Sequence, residues 1–333
     1  MTIPRIPLAP WKRGPLLAAL ALLLGLVMAL HARIPNVGGF GSLVENLLPW
    51  CGVCVPVLLA GAVWRRSASA VVALVLPVTV WVSLFGGLLL TDRSHPGGDL
   101  TAVSHNVGAG NSDPDGTARE LAASGAELLA LEELTDQARG AYEKGLATAY
   151  PYHVVRGTVG LWSKLPLSDT RAVDVVRGDA GPLARTKLPE SAAEAADGVR
   201  ALRTTVATAH GPLAVYVVHL GSVRVMPRHG FWTDSRDFGA RALTKAVTAE
   251  RNKRMVLLGD LNGTTDDRAF HGLTSQLTSA QKTAGKGFGF TWPAAFPVAR
   301  IDQILVRGVR ARSAWVLPAT GSDHLPVAAR ISW

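Results

Sequence analysis

Four places in the chain set oxygen- and nitrogen-bearing side chains at the ends of apolar runs. Val103-Ser-His-Asn106 closes one run and Leu128-Leu-Ala-Leu-Glu-Glu133 closes another. Met255-Val-Leu-Leu-Gly-Asp260-Leu-Asn262 ends a third, and Ser322-Asp323-His324-Leu-Pro326 precedes the last. Asn, Glu and Asp are hard oxygen donors of the kind Mg²⁺ takes together with water and substrate phosphate. In Asp260-Leu-Asn262 the period-two spacing of a strand aims both side chains the same way, one at a nucleophile and the other at a phosphate oxygen. Asp323 before His324 adds an imidazole with a carboxylate to hold its tautomer. Such a set fits metal-assisted hydrolysis of a phosphate ester or anhydride, in which a cation neutralises the phosphoryl oxygens and a base deprotonates water. Asp260 and His324 both qualify as that base. Singly, Asn106, Asp260 and Asp323 fit ordinary turns equally well; the set is what points to chemistry.

These residues need a scaffold of short strands. Apolar runs predict strands at 100–107, 128–131, 152–155, 160–163, 202–209, 213–219, 255–258, 301–306, 311–317 and 327–331. His210-Gly-Pro212 reads as a hairpin turn, and 115–124 and 235–250 carry helical spacing. Many strands with few helices imply two packed sheets flanked by helices. Residues 177–199 and 221–234 read as the longest loops.

The first third of the chain is different. Of 333 residues only 18% are charged and the mean hydropathy is +0.22, against about a quarter charged in a soluble domain. No charge interrupts 14–30 or 67–91, and 46–64 is equally uncharged. Each is long enough for a membrane helix of about 17–25 residues, so three transmembrane helices are expected. Residues 1–94 are then a membrane anchor and 95–333 a separate catalytic domain. Arg5, Lys12, Arg13, Arg65 and Arg66 place the N-terminus and second loop in the cytoplasm, which leaves the catalytic domain extracellular. The expected address is the cell membrane, multi-pass. Cys51 and Cys54, the only cysteines, fall within a predicted span and read as small packing residues; a disulfide scaffold and a thiol enzyme are excluded. Glu45 is expected at the solvated edge of its span. The net charge of +9 is mostly the anchor's, since 95–333 hold 27 Lys and Arg against 23 Asp and Glu. No nucleic-acid footprint stands out.

The order Ser-His-Asn106-Val, Leu-Glu-Glu133-Leu, Gly160-Leu-Trp-Ser163-Lys-Leu-Pro166-Leu, Val218-His219-Leu, Gly259-Asp-Leu-Asn262, Arg300-Ile-Asp302-Gln-Ile-Leu-Val306 and Gly321-Ser-Asp-His324-Leu-Pro resembles the endonuclease/exonuclease/phosphatase superfamily over roughly 99–333. The resemblance implies an α/β class, a four-layer α/β sandwich. It also implies roles. Asn106 and Glu133 would form the metal end, with Glu133 the main Mg²⁺ ligand (Mn²⁺ the alternative ion) and Asp323 beside them. His219 would contact phosphate or the leaving group, Asp260 would position the attacking water and Asn262 would hold a phosphate oxygen. Asp302 would orient a histidine or help hold the metal, and Asp323 would pair with His324, the base or phosphate-binding cation. Glu132 stands where the superfamily often has Gln, which would add negative charge beside the metal ligand.

The superfamily resemblance alone admits nucleases, sphingomyelinase-like phosphodiesterases, phosphoinositide phosphatases and prenyl-pyrophosphate phosphatases. Three spans joined to this domain also resemble the VanJ-type teicoplanin-resistance proteins of actinomycetes. That resemblance implies a membrane lipid as partner and undecaprenyl pyrophosphate as substrate, and an outward domain of near-neutral charge implies no nucleic acid. A membrane-anchored nuclease or phosphodiesterase is the enzymatic alternative, and a non-catalytic lipid- or antibiotic-binding protein the other. Arg224, Arg228, His229 and Arg236, interleaved with Phe231 and Trp232, read either as a solvated loop or as a basic, aromatic rim for phosphate. His105, beside Asn106 but facing away by strand alternation, reads as structural, and His95, His153, His210 and His271 as surface residues.

Overall fold

The computed structural model describes residues 11–176, 198–226 and 230–333. Arg5, Arg228, His229 and most of the 177–199 loop lie outside the described residues. The chain divides into two compact units, Met1–Thr91 and Asp92–Trp333.

The first unit is helical. Among the described residues two runs, Val37–Trp64 and Ala68–Leu90, are long and apolar enough to cross a membrane; three such spans were expected. The run at the first expected position is α1 (Pro15–Ala29), which at 1.5 Å per residue covers about 22 Å, short of a hydrocarbon core of about 30 Å. The second run contains α2 (Phe40–Leu47) and α3 (Cys51–Trp64), joined by a 3₁₀ turn at Leu48–Trp50 that accommodates Pro49. The third is broken into α4 (Ala68–Ala73) and α5 (Val75–Leu90). The break falls just before Pro77, whose ring conflicts with the carbonyl four residues earlier. Two expectations are corrected here. Cys54 is exposed on α3 rather than packed between helices. Glu45 is fully buried, not at a solvated edge, with His31 Nδ1 3.7 Å from its carboxylate.

The second unit is built on two six-stranded sheets. The first contains β1 (Leu100–Asn106), β2 (Leu128–Glu132), β3 (Tyr152–Arg156), β4 (Val159–Ser163), β13 (Arg310–Val316) and β14 (Val327–Ser332) in the order β13-β14-β1-β2-β4-β3. The second contains β5 (Leu167–Ala172), β6 (Ala201–Thr208), β7 (Gly211–His219), β10 (Met255–Asp260), β11 (Thr278–Ser279) and β12 (Asp302–Arg307) in the order β11-β12-β10-β7-β6-β5. Both are mixed: β1 runs parallel to β2, and β7 parallel to β10. The expected 221–234 loop instead carries a two-stranded ribbon, β8 (Arg224–Met226) and β9 (Gly230–Trp232).

Alternation explains the packing. Ala102, Leu128, Ala130 and Leu161 of the first sheet meet Val215, Val217, Val256, Leu258 and Ile304 of the second in a dry core. The opposite face of the first sheet, with Val103, Leu129 and Leu131, packs under α6 (Pro114–Ala123) and α7 (Asp136–Leu146). The opposite face of the second, with Tyr216, Leu257 and Leu305, packs under α8 (Asp234–Ala249). Helix, sheet, sheet, helix: the unit is a four-layer α/β sandwich.

Candidate active site

The inward-facing positions of the central strands end in polar residues at one end of the sandwich. Along β10 the inner residues Val256 and Leu258 are followed by Asp260, along β7 Val215 and Val217 by His219, and along β12 Asp302 precedes Ile304. Strand register aligns them, with Asp260 opposite His219 on one side and opposite Asp302 on the other. Across the core, Asn106 lies opposite Glu132 in the β1–β2 pairing. Gly259 permits the alignment: a Cβ there would lie 1.9 Å from the Val218 carbonyl oxygen, and its φ of +150° is one other residues rarely adopt.

The carboxylate of Asp260 is the hub. Its Oδ2 accepts from Asn106 Nδ2 at 3.0 Å and from Asn262 Nδ2 at 3.3 Å, and its Oδ1 accepts from the Asn262 backbone N–H at 2.7 Å. Asn262 does face the same way as Asp260, but not by strand alternation. The strand has ended, and Asn262 turns back at φ +51° while its amide also donates to the Leu220 carbonyl. Burial and the nearby Asp302 push the Asp260 pKa upward. Glu133 has likewise left its strand, at φ +61°, and its Oε2 accepts from Ala109 N–H at 3.0 Å. A left-handed non-glycine residue costs about 1–3 kcal/mol and persists where the surroundings enforce it. Two of them flank this one site.

His219 Nε2 lies 3.4 Å from Glu133 and 3.8 Å from Asp260. Burial, then the neighbouring Arg200 and His324 charges, hold its pKa well below the ordinary value, so the ring is neutral. His324 behaves oppositely. Its Nδ1 is 3.0 Å from Asp302 Oδ2 and its Nε2 3.9 Å from Asp260. Burial alone would lower its pKa, but the hydrogen bond and charge of Asp302 outweigh it and raise the pKa to about 10. His324 is an imidazolium at neutral pH. The expected Asp323–His324 pairing is corrected: Asp323 is exposed and accepts from Trp292 Nε1 at 3.3 Å, while Asp302 holds the ring. Ser322 pins this turn to the first sheet, its Oγ donating to the Asn106 carbonyl at 2.6 Å and accepting from His324 N–H at 3.1 Å.

Asp260, Asp302 and His324 place ligand atoms within 4.8 Å of one another. Asp302 and His324 are spent on each other and both Asp260 oxygens already accept hydrogen bonds, so the groups left to hold a hard cation are Glu133 and Asn106. This donor set fits Mg²⁺ or Mn²⁺. The negative charge expected of Glu132 is opposed by its surroundings. The residue is wholly buried, with Oε1 accepting from Ser104 Oγ at 3.0 Å, and burial raises its pKa well above the carboxylate range. His105 does face away, its Nε2 2.9 Å from Thr320 Oγ1 and its pKa driven to about 3 by burial.

Beside the cluster opens a groove of about 540 Å³ whose walls include Glu133, His219, Arg139, Arg200, Arg224 and Trp232. Arg236, expected as a possible rim residue, is not there: it is fully buried, paired with Asp237 at 2.8 Å and Asp267 at 2.9 Å, and donates to the Asn262 carbonyl at 3.4 Å. The residue sequence reading missed is Arg200, with Nη2 2.8 and 2.9 Å from the His219 ring nitrogens. Extending the β6–β7 hairpin register by one position, past Ala201 opposite Val218, would have placed it. His95, His153, His210 and His271 are exposed.

Comparison with known proteins agrees with this geometry. The model of the Endonuclease/Exonuclease/phosphatase family matches residues 103–324. Similar folds occur in D. rerio TDP2 complexed with single strand DNA product (17% identity, 70% of this chain and 99% of that one, TM-score 0.54), and in an endonuclease/exonuclease/phosphatase from Bacteroides vulgatus (17%, 70% and 98%, 0.53). A Staphylococcus aureus beta toxin mutant with bound magnesium ions is similar too (15%, 70% and 99%, 0.50). No curated protein matches the sequence. With motifs from Val103 to His324 matched and converging at one end of a four-layer sandwich, the chain belongs to the endonuclease/exonuclease/phosphatase family, whose members are metal-dependent phosphoesterases and nucleases.

Proposed function

We propose that the protein is a membrane-anchored, Mg²⁺-dependent phosphohydrolase whose catalytic domain faces outward and removes phosphate from undecaprenyl pyrophosphate, contributing to teicoplanin resistance. The observation that carries the proposal is the joining of apolar helices, two of them long enough to span, to a site whose polar groups are all in place. Anchoring confines enzyme and lipid to one surface and raises their effective concentration without adding a contact. The VanJ-type resemblance supplies the lipid.

A cation would be held by Glu133 with Asn106 and would supply charge neutralisation on the phosphoryl oxygens. The chain's own groups do the rest. Asp260, with its raised pKa, accepts the proton of the attacking water; His324, already protonated, serves as the phosphate-binding cation and not as the base. Asn262 holds the Asp260 carboxylate in position through its side-chain and backbone N–H groups, and neutral His219 accepts or donates a single hydrogen bond beside the leaving group. Asp302 keeps the His324 charge in place.

An anchored nuclease is the second reading, favoured by the fold shared with the DNA-bound D. rerio protein. Phosphate release from the full chain in lipid vesicles, with undecaprenyl pyrophosphate, DNA, sphingomyelin and inositol phosphates compared in parallel, separates the two. Faster turnover of DNA than of any pyrophosphate would replace the lipid proposal with the nuclease.

A further inference from the structure

The groove beside the metal-binding residues has a chemistry of its own. Three arginines line it, and they are not equally committed. Arg139 donates to the Gly157 carbonyl at 2.9 Å and pairs with Asp136 at 3.2 Å. Arg200 uses only Nη2, toward His219 and the Leu220 carbonyl; its Nε and Nη1 make no hydrogen bond among the described residues. Arg224, exposed on the β8–β9 ribbon and paired in register with Trp232, makes no hydrogen bond or ion pair among them either. The Thr158 hydroxyl in the same wall is buried without a partner. The anions facing this space are Glu133, which the cation would offset, and Asp136, which Arg139 already meets. The uncommitted charge is therefore positive, and it is presented by guanidinium forks, the shape that matches phosphate oxygens.

Position gives this charge a meaning. Arg200 Nη2 lies 2.9 Å from Nδ1 and 2.8 Å from Nε2 of His219, and that Nε2 is 3.8 Å from Asp260. The cationic surface starts one imidazole away from where the attacked phosphorus must sit.

We propose that the groove is a subsite for a second phosphate group, so that the substrates are diphosphates with the inner phosphate held by Arg200 and Arg224; this rests on the phosphohydrolase reading above. Water attacks the terminal phosphorus and its proton passes to Asp260. The bond from that phosphorus to the bridging oxygen breaks, and the bridging oxygen keeps the electron pair. Inorganic phosphate and an organic monophosphate leave, the latter with its added negative charge facing the two arginines. A prenyl diphosphate and a nucleoside diphosphate share this chemistry.

The test is binding, not turnover. The full chain in detergent micelles with EDTA is titrated calorimetrically with inorganic pyrophosphate and with inorganic phosphate. Pyrophosphate should bind at least about 10-fold more tightly than phosphate, as one extra charge-assisted contact allows. Arg200→Gln and Arg224→Gln should each remove most of that preference. Equal binding of the two anions by the wild type, or an unchanged preference in both variants, overturns the subsite. Arg224 is exposed, so its variant folds whatever Arg200→Gln does. Competition by farnesyl diphosphate and by ADP identifies the source: displacement by farnesyl diphosphate alone supports a lipid, and displacement by ADP alone supports a nucleotide within the same subsite. Arginine-dependent pyrophosphate binding without Mg²⁺-dependent phosphate release would uphold the subsite and reject the hydrolase reading.

Discussion

The imidazole of His324 is held by Asp302, 3.0 Å away across the site, and not by Asp323, its neighbour in the chain. This pairing, made between β12 and the turn before β14, raises the His324 pKa from 6.5 to about 10. Asp302→Asn should return it toward the ordinary value, measured by NMR titration of the ring protons. The sign for stability follows. A pKa raised on folding contributes stability that is complete below 6.5 and is lost as pH climbs through about 10. The wild type should therefore lose stability between those limits more steeply than the Asn variant in denaturant titrations.

Asp260→Ala, Glu133→Ala and His324→Ala should each reduce phosphate release by at least ~10²-fold, the scale of a positioned acid, base or charge. Thermal melts establish that each variant is folded. Near-normal turnover in any folded variant would remove that residue from the mechanism.

Chelation should abolish hydrolysis and Mg²⁺ or Mn²⁺ should restore it. Mn²⁺ binding followed by electron paramagnetic resonance reads occupancy of the site directly. Full activity after exhaustive EDTA treatment would contradict the proposed ligands.

Glu132→Gln keeps the planar shape of the side chain and removes the charge that burial already disfavours. It should leave stability within about 1 kcal/mol and activity nearly unaltered, since Ser104 can still donate to the side-chain carbonyl. A large loss of activity in a folded Gln variant would show that the Glu132 proton is used.

Outward exposure of the catalytic domain should appear as labelling or proteolysis beyond residue 94 in spheroplasts, with Arg65 and Arg66 protected. Protection of the domain in intact spheroplasts would reverse the topology and remove the external lipid substrate.

Much of the architecture is legible in one dimension. Ten strands, two helices of the sandwich and its order of polar strand ends follow from apolar runs interrupted by Asn106, Glu133, Asp260, Asn262 and His324, because alternation and run length are local properties. Apolarity likewise marks the helical first unit, although its first helix proves shorter than the run that contains it. What the sequence could not decide depends on register and burial, which arise only when distant strands meet. Adjacency in the chain proposes Asp323 as the partner of His324, but the turn directs the two side chains apart and the β10–β12 register delivers Asp302 instead. Glu132 and Glu133 look alike as letters; one faces the dry core, where burial disfavours its charge, while the other turns out at positive φ. Arg236 and Arg200 trade places for the same reason. The first is buried against two aspartates behind Asn262, and the second enters the site because β6 lies beside β7.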